Sequence, residues 1–248
     1  MDWNEVVSLF RALMKTAVGP FIGASLAFAS TLLIQRRNRR RDDLSAGNLA
    51  LLSIVAQLDD YLNYRLGMRL AVAQRASGIA LSKPMPLWLL AHPVVHHFSD
   101  RSFDYKSLSF LLDRRPGQVA LSKLANLERA YFDLKERQAE LARTAVDVQQ
   151  CLADRMREHT GKVEVGALNA AVGIELRVRA ADQLVSVMQR LDQDEDLYVG
   201  TFKVLRDQLV PKFDERRLAQ LNNIPEKYSA SALPALPPEL TQALAALR

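Results

Sequence analysis

One cysteine, Cys151, stands in a chain of 248 residues. That excludes an internal disulfide and any cysteine-rich zinc site, and it suits a domain kept in a reducing cytosol. Catalytic signatures are missing too. There is no GxSxG, no HExxH, no dinucleotide fingerprint and no cysteine–histidine pairing at a supporting spacing. Gly161-Lys162 lacks the upstream glycine and the following Ser or Thr of a phosphate-binding loop. Asp192, Asp194 and Asp196 take the first, third and fifth places of a calcium loop. Leu197 and Lys203 then stand where Gly and Glu are required. No stretch keeps strand alternation against the helical template. The expectation is an all-α, non-enzymatic protein with no cofactor and no metal. A hydrolase with residues dispersed over several helices would need a polar cleft with convergent titratable groups.

Charge is missing from one place in particular. Thr16 to Ile34 reads TAVGPFIGASLAFASTLLI, with no charged residue, and is followed at once by QRRNRRR. A bilayer core of roughly 30 Å needs about 20 apolar residues in a helix, so the run predicts a transmembrane helix over 16–35. Arg36, Arg37, Arg39, Arg40 and Arg41 gather at its C-terminal end, which predicts that end in the cytoplasm and the N-terminus outside. A secretory signal peptide carries its positive charge before the apolar stretch. Here Arg11 and Lys15 precede it, diluted by Asp2 and Glu5, and five arginines follow it. The reading is an uncleaved single-pass anchor in a bacterial inner membrane.

The net charge of +5 equals the contribution of those five arginines, so the rest of the chain balances to zero (5 − 5 = 0). The basicity is a local patch suited to anionic lipid headgroups, each basic residue there contributing on the order of 1 kcal/mol. Nucleic acid is not expected as a partner, because basic residues are not spread along a face or mixed with aromatics.

Ahead of the anchor, Trp3, Val6, Val7, Phe10, Leu13 and Met14 recur at helical spacing and predict an amphipathic segment over 1–15, either an interfacial helix or an extension of the anchor helix. Pro20 marks a bend between the two pieces. Behind the basic juxtamembrane segment (36–43), Leu44, Leu51, Val55, Leu58, Leu62, Leu66 and Leu70 form the seam of a long helix stopped by Ser77-Gly78. A shorter helix is expected near Tyr105–Leu112, ended by Pro116-Gly117. The strongest pattern follows: Leu124, Leu127, Tyr131, Leu134, Gln138, Leu141, Ala145, Val148 and Leu152 keep a 3-4 alternation with one polar break. This predicts a coiled-coil-like bundle helix packed antiparallel to its neighbours, with Gln138→Leu neutral or stabilising. Gly161 ends it. Further helices are expected over 166–191 and from DQDED, its acids favouring the helix N-terminus, to about Val210. The cytosolic domain spans 44–228. A proline-rich tail over 229–248 reads as a flexible or extended linker with a short helix carrying Leu240, Leu244 and Leu247.

Three further groups stand out. Gly19, Gly23, Ala27 and Thr31 step by four, the small-residue device for close helix approach in membranes, and make a candidate self-association face. Met85, Leu87, Trp88, Leu89 and Leu90 lie in an apolar stretch broken by Pro84, Pro86 and Pro93. They read either as core or as a partner-binding loop. His92, His96 and His97 with Asp100 and Asp104 resemble a ligand set in composition, but Pro93 disrupts their helical spacing. They read as loop histidines. The function expected is a scaffold, tether or signal relay. Its helical domain would bind a cytosolic protein or a second copy of itself as a homo-oligomer. The alternative is a membrane-disrupting effector of a stress, toxin or antiphage system that acts by oligomerisation.

Overall fold

The computed structural model describes residues 3–78, 85–156, 165–221, 224–229 and 231–247; no side chain between residues 9 and 21 is described. Among the described residues there are helices and no strands. The chain is all-α. Its helices are α1 (Trp3–Gly78), α2 (Leu87–Leu90), α3 (Arg115–Met156), α4 (Val165–Ala171), α5 (Ile174–Gln193), α6 (Glu195–Leu209) and α7 (Pro238–Ala245).

The apolar run, the arginines and the first bundle helix, expected as successive pieces, form one helix of 76 residues. At 1.5 Å per residue it is roughly 110 Å long. Pro20 lies within it, so the expected bend is not a break. Gly78 ends it, as the sequence indicates.

The core face of α1 is rotated from the leucine seam. Leu51, Leu58 and Leu62 of the seam are buried together with Ile54, Tyr61, Tyr64, Met68 and Val72, whereas Leu44, Val55 and Leu66 are half-buried and Leu70 is exposed. Tyrosine explains the difference. Tyr61 and Tyr64 bury their rings, and Tyr61 donates its hydroxyl to the Leu191 carbonyl at 2.6 Å. Burial holds both phenols well above their ordinary pKa. Both stay protonated at every physiological pH.

The α3 seam is buried from Leu124 to Leu152. It packs on α5 and α6, while α1 packs chiefly on α6. Arg137 meets Ser186 at 2.6 Å and Arg190 meets Asp133 at 3.4 Å, so α5 runs antiparallel to α3. Arg65 pairs with Glu195 near one end of α6, and Gly47 faces Leu209 at the other, so α6 runs antiparallel to α1.

Between α1 and α3 lies a backbone spline, and Tyr131 of α3 reaches past it to Asp60 of α1. Residues 89–103 are bonded to α1 by Arg75 to the Leu89 carbonyl (2.9 Å) and Gln57 to the Arg101 carbonyl (2.8 Å). Gln138 to the Val94 carbonyl (3.0 Å) and the Phe103 amide to Glu128 (2.9 Å) bond it to α3. The pairings run backwards on both helices, so α1 and α3 run parallel, not antiparallel as the seam predicted for this pair, and the spline is antiparallel to each. Pro93, soon after α2 ends at Leu90, keeps the helix from continuing through this stretch. Its carbonyls therefore need partners from outside, and long polar side chains supply them. Phe98 fills the gap, its ring 5.3 Å from Tyr64 and 5.5 Å from Tyr131.

Two punctuation signals differ from the sequence reading. Pro116-Gly117 opens α3 instead of ending a helix; in the first turn the missing N–H has no partner to lose. The stretch before it forms turns and a short 3-10 helix over Ser109–Leu111. The 166–191 helix is divided at Val172-Gly173. Gly161 lies outside the described residues. The tail is not a free linker: Leu233, Leu240 and Leu244 are buried, and α7 packs on α5.

Candidate functional site

Polar contacts fasten α1 where it leaves the bundle. Arg40 donates to the Lys212 carbonyl at 2.9 Å. Asn48 donates to the Arg217 carbonyl at 2.7 Å and accepts from the Ala219 amide at 2.9 Å. Toward the N-terminus of Arg40 the helix is uncovered: every described side chain from Ile22 to Asp42 is exposed. Ile22, Leu26, Phe28, Leu32, Leu33 and Ile34 are between 41% and 67% exposed. At about 1.5–3 kcal/mol for each large apolar side chain, these six alone would gain on the order of 10 kcal/mol from an apolar cover. Among the described residues, no helix is long and apolar enough to cross a membrane. The expected transmembrane helix has no support from that side, and the described side chains of the run begin at Ile22.

The hydroxyls within the run turn inward on their own helix. Ser30 and Thr31 both donate to the Ala27 carbonyl at 2.8 Å. A Cβ placed on Gly23 would meet nothing within 4 Å, so the face of Gly23, Ala27 and Thr31 is open in the single chain. The side-chain surroundings of residue 19 lie outside the described residues. Arg36, Arg37, Arg39, Arg40 and Arg41 ring the helix just below, all exposed.

The Trp88 segment is corrected to core. Met85, Trp88, Leu89 and Leu90 are buried, Leu87 is half-buried, and α2 packs on α5. Most of its apolar side chains are consumed inside the protein, and Leu87 alone among the five keeps part of its surface exposed.

The histidines are not brought together as ligands, and no metal-binding group occurs among the described residues. His92 Nδ1 contacts Gln149 Nε2 at 3.1 Å, and His96 stacks between Tyr64 and Phe98. His97 is exposed. Burial lowers the pKa of His92 and of His96; Arg75 adds to the first effect, while nearby Asp60 opposes the second.

The DQDED acids have a tertiary role. Asp192 pairs with Arg69 at 2.6 Å and Glu195 with Arg65 at 2.5 Å, fastening the α5–α6 corner to α1. Asp194, largely buried, has its pKa raised by that burial against the opposing charge of Arg190. Asp194 makes no side-chain cap to α6.

Sequence reasoning missed the knot of Asp60, Ser99 and Tyr131. Asp60 Oδ2 accepts from the Ser99 amide (2.9 Å), the Ser99 hydroxyl (2.7 Å) and the Tyr131 hydroxyl (2.6 Å). Burial first, then the bond to Asp60, pushes the Tyr131 phenol above its ordinary range. Three donors from the spline and α3 converge on one carboxylate oxygen of α1, so the knot is a lock between α1, spline and α3. A cleft of about 630 Å³ beside it is lined by Asp42, Asp100, Asp104, Arg101 and serines at 45, 53, 102 and 107. Neither histidine nor cysteine lines it to serve as base or nucleophile, and Asp104 is occupied in holding the Lys106 and Ser107 amides.

Comparison with known proteins finds no matching family model, no matching curated protein and no matching solved structure.

Proposed function

We infer that the chain is a non-enzymatic, single-pass inner-membrane protein. Its helical domain, on the cytoplasmic side, would act as scaffold, tether or signal relay by binding a cytosolic protein or a second copy of itself. The observation that carries this reading is the uncovered apolar length of α1 ending at Ile34 and followed by the arginine collar. An apolar surface of this size needs a cover, and a bilayer supplies one at the length of the run Thr16–Ile34. Arginines at one end favour the cytoplasmic side for everything after them.

The unbroken course of α1 favours relay over passive tethering. A rotation or association of the bundle would pass along a continuous helix to the apolar segment, with no loop to absorb it. The same continuity suits an effector that drives its anchors together and disturbs the bilayer. Leakage of a membrane-impermeant dye from cells overproducing the intact chain belongs to the effector. Growth with an intact membrane belongs to the scaffold.

Topology is the first test. Reporter fusions after Arg248 should be active only with a reporter that works in the cytoplasm. A periplasmic reporter active at that site would overturn the assignment.

A further inference from the structure

Where α1 enters the bundle, Arg37, Arg40, Arg41 and Leu44 face Phe213, Asp214 and Arg217 across a cleft of about 590 Å³. Building on the membrane reading above, we propose that this cleft binds the phosphate of an anionic lipid headgroup. The ligand would be gripped jointly by α1 and the loop that follows α6.

The charge is set out for an anion. Four guanidinium groups oppose one carboxylate, a balance of three positive charges (4 − 1 = 3). Asp214 already has an oxygen engaged, accepting from the Arg216 amide at 3.0 Å. None of Arg37, Arg40, Arg41 or Arg217 forms an ion pair among the described residues. Like charges gathered without a counter-charge repel, and a bound phosphate converts that repulsion into charge-assisted hydrogen bonds. Arginine's planar fork matches phosphate oxygens two at a time.

The far wall is held in place. The Lys212 carbonyl is fixed by Arg40, and the Arg217 carbonyl and Ala219 amide are both fixed by Asn48. Phe213 is buried and packs edge-on against Phe110 at 6.3 Å. Lys212 points elsewhere, donating to the Phe110 carbonyl at 2.9 Å. Arg217, 176 positions after Arg41 in sequence (217 − 41 = 176), therefore lines the same cleft by construction of the backbone. Leu44 and Phe213 supply apolar lining beneath the charges.

Height along the helix selects a lipid as the source of the phosphate. With the hydrocarbon edge at Ile34, Arg37 lies about 4.5 Å and Arg41 about 10 Å below it at 1.5 Å per residue. The headgroup layer occupies roughly 5–8 Å on each side of the core. The Arg37 end of the cleft therefore lies at headgroup level, and the long side chains of Arg40 and Arg41 need reach back only a few ångströms to it (about 2–3 Å).

Arg36 and Arg39 belong to the same run but do not line the cleft, which separates a pocket from diffuse attraction to a negative surface. The intact chain is placed in nanodiscs of phosphatidylcholine alone and of phosphatidylcholine mixed with phosphatidylglycerol, and melting of the helical domain is followed. We expect a rise of roughly 3–6 °C with phosphatidylglycerol, the shift that a roughly tenfold excess over the dissociation constant gives a domain of this size. Arg217→Gln should remove most of that rise while melting as the parent does in phosphatidylcholine; Arg36→Gln should keep it. Equal melting in the two lipids, or equal loss in the two variants, would overturn the pocket. A rise produced in phosphatidylcholine discs by inorganic phosphate would overturn the lipid as its ligand. Failure of the parent chain to enter phosphatidylcholine discs at all would overturn the membrane reading and the pocket with it.

Discussion

The Gln138 side-chain amide donates to the Val94 carbonyl at 3.0 Å, so the one polar break in the α3 seam is a bracket for the proline-broken spline. On sequence alone the replacement Gln138→Leu reads as neutral or stabilising. The structure reverses that expectation. Leucine would strand a partly buried carbonyl that has no helical partner, at about 1–3 kcal/mol. Chemical denaturation of the parent and variant should show the loss, with an unchanged denaturant slope. A variant as stable as the parent would show that water replaces the amide freely.

Leu134 is 1% exposed in the same seam, facing α5 and α6. Leu134→Ala should cost about 2–5 kcal/mol, the range for a leucine truncated in a packed core. Melting should fall at every protein concentration alike. If the variant melts as the parent does and loses only self-association, the seam is an interface between chains and its burial within one chain is wrong.

Gly117 is required by close approach. A Cβ there would stand 1.9 Å from the Leu111 carbonyl oxygen, a backbone atom that no rotamer change can move. Gly117→Ala should therefore destabilise the start of α3, by about 1–3 kcal/mol, as overpacking does. Faster amide exchange should appear over residues 111–121 before it appears in α5. Uniform exchange with unchanged melting would refute the constraint.

Acidification should weaken the fold through His92 and His96. Burial lowers both pKa values from 6.5, so the unfolded chain binds protons that the folded one resists. Their contribution is complete above pH 6.5 and is lost as pH falls toward the depressed values. Asp194, with a raised pKa, acts in the opposite sense, but only where carboxylates begin to protonate. Melting temperature should thus drop between about pH 7.5 and 5.5, and less so in His96→Gln, given the ordinary histidine pKa of about 6.5. A flat profile in that window would remove the histidines from the stability balance.

Gly23 tests the proposed self-association face. Its position is open, so Gly23→Ile costs nothing within the chain but would block close approach of a second helix. Self-association in a membrane two-hybrid assay should weaken at matched expression. An unchanged signal would leave the small-residue row without a role in association.

The α3 seam from Leu124 to Leu152 was legible because a 3.6-residue period needs only local information, and Gly78 as a helix end for the same reason. The arginine collar and the apolar run were equally plain, being contiguous. Three things were decided by tertiary contacts. The core face of α1 turned toward Tyr61 and Tyr64 because their rings could bury once Leu191 accepted the Tyr61 hydroxyl. The proline-broken stretch became a spline because Gln57, Arg75 and Gln138 reach its carbonyls from α1 and α3, helices that sequence spacing does not bring together. Arg217 joined the arginines of α1 because Asn48 holds its backbone across a separation of 169 residues. Periodicity and charge runs reside in neighbouring residues and can be read along the chain. Which distant donor satisfies which buried acceptor depends on how the helices fold back, and only the packed structure contains that information.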